Sequence, residues 1–163
     1  MNKNFYLLAL ASMLLSGCED EEVIPPVPSG IRINEIIVYE YPVTDGGIPW
    51  DDPLFGSATG PDVLWQITGP QTIWSSVYFP NTDGGVLEFT EGFPVFLNDP
   101  EATYQVKLWD KDDLDVSDLA SSDDEMVSIA WQPFTNSGET GTEWIELTSG
   151  NTVMDIQVTY LFE

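Results

Sequence analysis

The sequence has no histidine, one cysteine and four basic residues among its 163 positions. Without histidine, a Ser-His-Asp triad, a histidine general base and a His-ligated zinc site are all excluded. A single cysteine cannot form a disulfide within the chain. Affinity for nucleic acid depends on lysine and arginine neutralising phosphates, and here 28 acidic residues oppose them, so no nucleic-acid partner is expected.

The first 17 residues have the features of an export signal. Lys3 carries positive charge, and the apolar run FYLLALASMLL is shorter than the roughly 20 residues of a membrane-spanning helix. The sequence LSGC, which ends at Cys18, resembles the lipobox of bacterial lipoproteins. That resemblance implies cleavage before Cys18, acylation of this cysteine with chains such as palmitate, and membrane attachment through the lipid.

Residues 18–30 form the second segment, an acidic and proline-rich stretch that predicts an extended tether rather than a folded unit. Its start, CEDEE, resembles the export signal of some Bacteroidetes lipoproteins. The resemblance implies an outer-membrane lipoprotein of the cell envelope exposed at the surface, whereas a simple solvated linker is the alternative, so the membrane face stays open. Removing residues 1–17 leaves three basic against 28 acidic side chains, a net charge of −25.

Residues 31–163 predict one all-β domain, because their apolar residues occur in short runs separated by turn residues and none shows a long helical period. The run TIWSSVYF is among the segments predicted as strands. Alternation is clear in TYQVKLW and VMDIQVTYLF, which indicates strands with one buried face. Asp-Gly-Gly occurs twice among the connectors and favours tight turns. About 130 residues in eight or nine strands fit a single antiparallel β-sandwich.

Two acidic segments suggest a metal site. Residues 110–125 contain eight acidic side chains and one lysine, and the earlier segment PWDDPLFGSATGPDVLWQI contains Asp51, Asp52 and Asp62. Repulsion among these carboxylates opposes a compact loop unless a cation, solvent or disorder relieves it. Calcium takes six to eight oxygen ligands, so carboxylates that converge from both segments predict calcium as the cofactor.

The same residues resemble C2 domains. YQVKLWDKD, followed later by DDEMV, resembles the third calcium loop of that family, and GPDVLWQI is similar to the strand that follows its first loop. The resemblance implies an eight-stranded antiparallel sandwich whose loops at one end bind calcium and, in many members, phospholipid. The calcium ligands that it implies are Asp51, Asp62, Asp110, Asp112 and Asp124.

Two ligand assignments stay open. Asp52 can replace Asp51, because the first-loop aspartates are farther apart than is usual in the family. Asp118 lies at the more usual separation from Asp110, but Met126 and Val127 favour Asp124 as the last ligand. The family's lysine-rich lipid-binding face is absent, which argues against binding to anionic lipid.

These features predict a lipid-anchored, exported calcium-binding C2-like module with a structural or interaction role at the cell envelope. Its partner at the calcium loops would be a protein, a lipid or a glycan. The alternative is a metal-independent adhesin or envelope assembly protein with solvated acidic loops. A glycosidase would need two carboxylates in a cleft; Glu88, Glu143 and Glu146 lie in strand-like stretches and are expected to face outward, so no enzymatic activity is predicted.

Overall fold

The computed structural model describes residues 26–50, 60–111, 123–135 and 141–163. These residues form strands and turns, and no helix in this part of the chain is long and apolar enough to cross a membrane. The strands are, in chain order, β1 (Gly30–Glu40), β2 (Thr44–Asp45), β3 (Ile48–Pro49), β4 (Val63–Thr68), β5 (Thr72–Trp74), β6 (Leu87–Phe89), β7 (Val95–Leu97), β8 (Tyr104–Asp110), β9 (Asp124–Trp131), β10 (Thr142–Ser149) and β11 (Thr152–Leu161).

Two antiparallel sheets make up the domain, and the long strand β1 is the centre of the first. On one side β1 pairs with β11, which pairs in turn with β10. On its other side β6 and β7 pair with successive parts of β1, so two short strands together occupy one strand position. The second sheet has the order β5-β4-β8-β9, and β2 and β3 form a separate small hairpin.

Strand β1 shows why strict alternation does not describe this sequence. Ile31 and Ile33 are fully buried, and so are Ile36 and Val38. In a regular strand, odd-numbered and even-numbered positions would face opposite sides of the sheet. The pairing of β1 with β11 shifts register between Ile33 and Glu35, which is a β-bulge. Because a bulge adds one residue to one strand, it lets both apolar pairs reach the same face.

The inward faces of the two sheets pack into one apolar core. Trp65 of the second sheet lies with its ring centroid 5.2 Å from that of Phe93, and Phe79 packs edge-on against Phe89 at 4.8 Å. Contributors from the first sheet include Met154, which is fully buried. All the described strands lie between residues 30 and 161, so residues 26–163 contain the whole described sandwich.

The all-β sandwich predicted from the sequence is confirmed, but the described strands number eleven rather than eight, and one predicted strand is shorter than expected. The run TIWSSVYF forms a strand only over Thr72–Trp74. The Ser75 hydroxyl donates to the carbonyl of Val77, and the Val77 N–H donates back to this hydroxyl over 3.2 Å, which turns the chain out of the ladder. Phe79 then returns beside β4 as a single bridge to Val63.

Candidate functional site

Three of the predicted calcium ligands lie at neighbouring strand ends. Asp62 immediately precedes β4, Asp110 is the last residue of β8, and Asp124 is the first residue of β9. In the sheet, Asp110 pairs with Asp124 on one side and with Val63, the neighbour of Asp62, on the other. The fold therefore brings these three aspartates to one end of the second sheet, although 62 positions separate the first from the last in sequence.

Asp62 and Asp110 are joined by hydrogen bonds that fix both residues. The backbone N–H of Asp62 donates to Oδ1 of Asp110 over 2.7 Å, and the N–H of Lys111 donates to the carbonyl of Asp62 over 3.0 Å. The Asp110 side chain is fully buried. A hydrogen bond to an ionised acceptor is stronger than one between neutral groups, so it orients this carboxylate at the end of β8.

A second loop holds the carboxylate of Asp62. The backbone N–H of Asn81 donates to its Oδ1 over 2.5 Å. Thr82 anchors the same loop, because its N–H and its hydroxyl both donate to the carbonyl of Pro61, at 2.9 and 3.0 Å. Gly60 makes this approach possible, since a Cβ atom there would lie 1.9 Å from the carbonyl oxygen of Thr82. The loop therefore positions Asp62 from the side opposite Asp110.

The loop of residues 80–86 belongs to this end of the sandwich, although its Asp-Gly-Gly motif predicted only a turn. Asn81 has a φ of 48°, in the left-handed region that asparagine tolerates better than most residues, and Gly84 and Gly85 also have positive φ. An asparagine shortly before Asp-Gly-Gly was therefore the available sequence signal, but it indicated a turn and not a contact to Asp62.

Two of the few lysines lie beside these aspartates. Lys107 forms an ion pair of 2.6 Å with Glu125, which follows Asp124. Lys111 follows Asp110 and is only 4% exposed, with its ammonium 5.1 Å from the centre of the Tyr78 ring. The Lys107 ion pair offsets one negative charge at this end of the sandwich, whereas the Lys111 ammonium lies against the Tyr78 ring.

The other predicted site residues lie outside the described part of the chain. They are Cys18, Asp51 and Asp112, together with the alternatives Asp52 and Asp118. Within the described ranges, no group of three or more His, Cys, Asp or Glu side chains is close enough to hold a metal ion. Asp62, Asp110 and Asp124 are thus not a complete site by themselves. A calcium ion would need further oxygens, and residues 51–59 and 112–122 come within three positions of these aspartates in the chain.

One expectation about the strand glutamates is wrong. Glu88 and Glu146 are exposed as predicted, but Glu143 is not an outward-facing residue. It pairs with Val158, whose side chain is in the core, and its Oε1 accepts a 2.5 Å hydrogen bond from the hydroxyl of Tyr160. Because the Tyr160 ring is buried, its hydroxyl needs a polar partner on the inner side of the sheet, and Glu143 provides one.

Solved structures with a similar fold include C2 domains. Extended-Synaptotagmin 2, in a calcium-bound structure of two of its C2 domains, matches 83% of this chain with a TM-score of 0.55 and 17% identity. The fold is C2-like. The human GIVD cytosolic phospholipase A2, in complex with an inhibitor and terbium chloride, matches 84% of the chain with a TM-score of 0.53 and 8% identity.

These similarities concern the C2-like domain and not the whole of the matched proteins. The chain spans 46% of the Extended-Synaptotagmin 2 structure and 18% of the phospholipase. No protein-family model matches the sequence, and no curated protein is significantly similar to it. At identities this low the comparisons establish the C2-like fold that the sequence predicted.

Proposed function

We propose that this protein is a calcium-binding C2-like module, exported and anchored by lipid at Cys18, with a structural or interaction role at the cell envelope. Asp62, Asp110 and Asp124 provide part of the calcium site. Asp112 and either Asp51 or Asp52 complete it. The observation that carries the proposal is the meeting of Asp62, Asp110 and Asp124 at three adjoining strand ends, where backbone N–H groups orient two of the carboxylates.

The donor chemistry of this end supports calcium rather than a softer metal. All the candidate ligands are carboxylates, and hard cations such as calcium prefer oxygen ligands, whereas zinc and copper sites generally use histidine or cysteine. The chain has no histidine, and its one cysteine is at position 18. One similar C2 structure contains bound calcium, which is consistent with a hard-cation site in this domain.

A cation would also relieve the repulsion within the acidic segment that begins at Asp110. Ligand binding to the folded state alone stabilises that state by about 2.7 kcal/mol when free calcium is one hundred times the dissociation constant. Stabilisation of this size is a large fraction of the roughly 5–15 kcal/mol that is typical of whole domains. Calcium would therefore act first as a structural ligand, ordering a surface to which an envelope partner binds.

Thermal unfolding of residues 26–163 tests this function. Calcium is titrated into protein held in EDTA at constant ionic strength, and magnesium is titrated in parallel as a control for charge screening. We expect the unfolding midpoint to rise by on the order of 10 °C with saturating calcium and to change little with magnesium. Magnesium discriminates because it is smaller and demands a stricter octahedral geometry.

Two double variants with the same change in charge locate the site. Asp110→Asn with Asp112→Asn should abolish the calcium response. Glu88→Gln with Glu146→Gln, at exposed positions of the first sheet, should retain it. An unfolding midpoint that is insensitive to calcium in the unmodified protein would refute the calcium site and favour the metal-independent adhesin or assembly protein.

A further inference from the structure

The outward face of the second sheet carries an aromatic and polar surface, which we call the Trp74 face: Gln66, Trp74, Gln105, Lys107, Trp109 and Ser128. Gln66 of β4 pairs with Trp74 on β5 and with Lys107 on β8, and Lys107 pairs with Ser128 on β9. This row crosses all four strands. Three inter-strand spacings give it a width of about 14 Å.

The two tryptophans of this face are held in fixed positions. Their ring centroids are 6.1 Å apart with the ring planes inclined at 49°. The indole N–H of Trp109 donates to Oε1 of Gln66 over 3.2 Å, and Gln66 is only 5% exposed. Trp74 keeps 36% of its surface exposed beside this bonded pair. Trp74 is therefore an accessible aromatic ring that packs beside two side chains held in place by a hydrogen bond.

Polar side chains of β8 and β9 share this face with Trp74. Lys107 lies 5.4 Å from the centre of the Trp109 ring, and its ion pair with Glu125 balances its charge. Farther along β8, Gln105 accepts a 3.1 Å hydrogen bond from the hydroxyl of Ser128. Side chains already held in place lose little conformational entropy when a ligand binds, and amide, hydroxyl and ammonium groups can bond to ligand hydroxyls.

We propose that the Trp74 face binds a neutral β-1,4-linked polysaccharide. One face of a pyranose ring exposes C–H groups that stack on an indole. The equatorial hydroxyls at the ring edge can then reach polar side chains of the same protein face. A β-1,4-linked chain is an extended ribbon, which matches an open sheet face better than a coiled glycan does. The net charge of −25 after signal removal repels polyanionic chains, so the ligand is a neutral one.

A protein partner fits this surface less well. Among the described residues of the second-sheet strands, Trp74 is the only large hydrophobic side chain exposed to more than a third. The core of a protein interface is a contiguous desolvated patch with several apolar or aromatic residues. One exposed indole within a polar surface provides the stacking position of a sugar site but lacks the apolar area of a protein interface.

The test is titration calorimetry of residues 26–163 with the β-1,4-linked hexasaccharides of glucose, xylose and mannose. At least one should bind with a millimolar or tighter dissociation constant and perturb tryptophan fluorescence. Trp74→Ala should weaken that binding by about tenfold or more, and Trp74→Tyr should retain most of it. Trp144→Ala is the matched control, because Trp144 is a 45% exposed tryptophan on the outward face of the other sheet.

Three results would overturn the proposal: no binding of any of the three sugars, equal effects of Trp74→Ala and Trp144→Ala, or binding that disappears in EDTA. The last would assign the ligand to the calcium loops, so this site and the proposed calcium site can fail separately. If Trp74→Ala does not fold, Gln105→Ala with Ser128→Ala replaces it. This pair lies on the same face and should weaken binding severalfold, and unchanged affinity would again contradict the proposal.

Discussion

The backbone N–H of Asp62 donates a 2.7 Å hydrogen bond to the buried carboxylate of Asp110. This bond joins the start of β4 to the end of β8, 48 positions later in the chain. Both residues are candidate calcium ligands, so the contact joins two parts of the proposed site. Preorganisation of this kind lowers the cost of assembling a site from separate loops.

Without calcium, the stability of the domain should depend on a hydrogen-bond acceptor at position 110 and not on its negative charge. In EDTA, Asp110→Asn keeps an oxygen that can accept the Asp62 N–H. Asp110→Ala leaves this donor without its acceptor and should lower the free energy of unfolding by about 1–3 kcal/mol more. Urea denaturation measures the difference. Equal losses in the two variants would show that the Asp62–Asp110 hydrogen bond contributes little to stability.

Gly60 should be essential for the approach of the 80–86 loop to Asp62. Gly60→Ala would place a Cβ atom 1.9 Å from the Thr82 carbonyl oxygen, and the two loops must separate to accommodate it. We expect a loss of about 1–3 kcal/mol and weaker calcium binding, measured by urea denaturation and calcium titration.

Gly141→Ala is the control for this change. Gly141 immediately precedes β10, and a Cβ there meets no atom within 4 Å, but φ is +83°. The variant should lose about 1 kcal/mol from backbone strain and keep its calcium affinity. Unaltered calcium binding in Gly60→Ala would mean that the 80–86 loop does not position Asp62 for the metal.

Stability at high pH should depend on Tyr104. Burial raises the pKa of its phenol above the ordinary value of 10.0, while its hydroxyl donates to the Asp99 carbonyl over 3.1 Å. Below about pH 10 the phenol is neutral in both states and its contribution is complete. Above that pH the unfolded chain ionises first, so stability falls as the pH rises toward the higher folded pKa.

Tyr104→Phe separates these two effects. It removes the hydrogen bond, at a cost of about 1 kcal/mol at neutral pH, but it also removes the part of the alkaline destabilisation due to this residue. Urea midpoints measured from about pH 8 to 11 should therefore fall less steeply in the variant. Identical slopes would assign the alkaline loss to other groups.

Cys18 should carry the membrane anchor. In cells that export the full chain, Cys18→Ala should abolish incorporation of labelled palmitate and move the protein from the membrane fraction to the soluble fraction. The free energy of membrane attachment comes from the buried acyl chains, and the sequence has no polybasic run to replace them. Persistent membrane association of the unacylated variant would indicate a different anchor.

Local residue patterns explain how much of the fold was predictable. Alternation in TYQVKLW gave the correct inward residues of β8, because side chains on a strand point alternately to the two faces. The run TIWSSVYF was predicted as one strand, yet the strand ends at Trp74. The Ser75 N–H still bonds to the Trp65 carbonyl of β4, but the Val77 N–H bonds to the Ser75 hydroxyl. Such competition between side chain and sheet depends on geometry that composition does not reveal.

The sequence by itself determined the β class and which short segments concentrate carboxylates, and it predicts export and acylation, since these are properties of neighbouring residues. Tertiary structure decided that Asp62 bonds to Asp110, that the 80–86 loop reaches Asp62, and that Glu143 turns inward to Tyr160. It also built the Trp74 face from four strands. These contacts follow from strand register and sheet order, which depend on pairing between residues far apart in the chain and not on any local pattern.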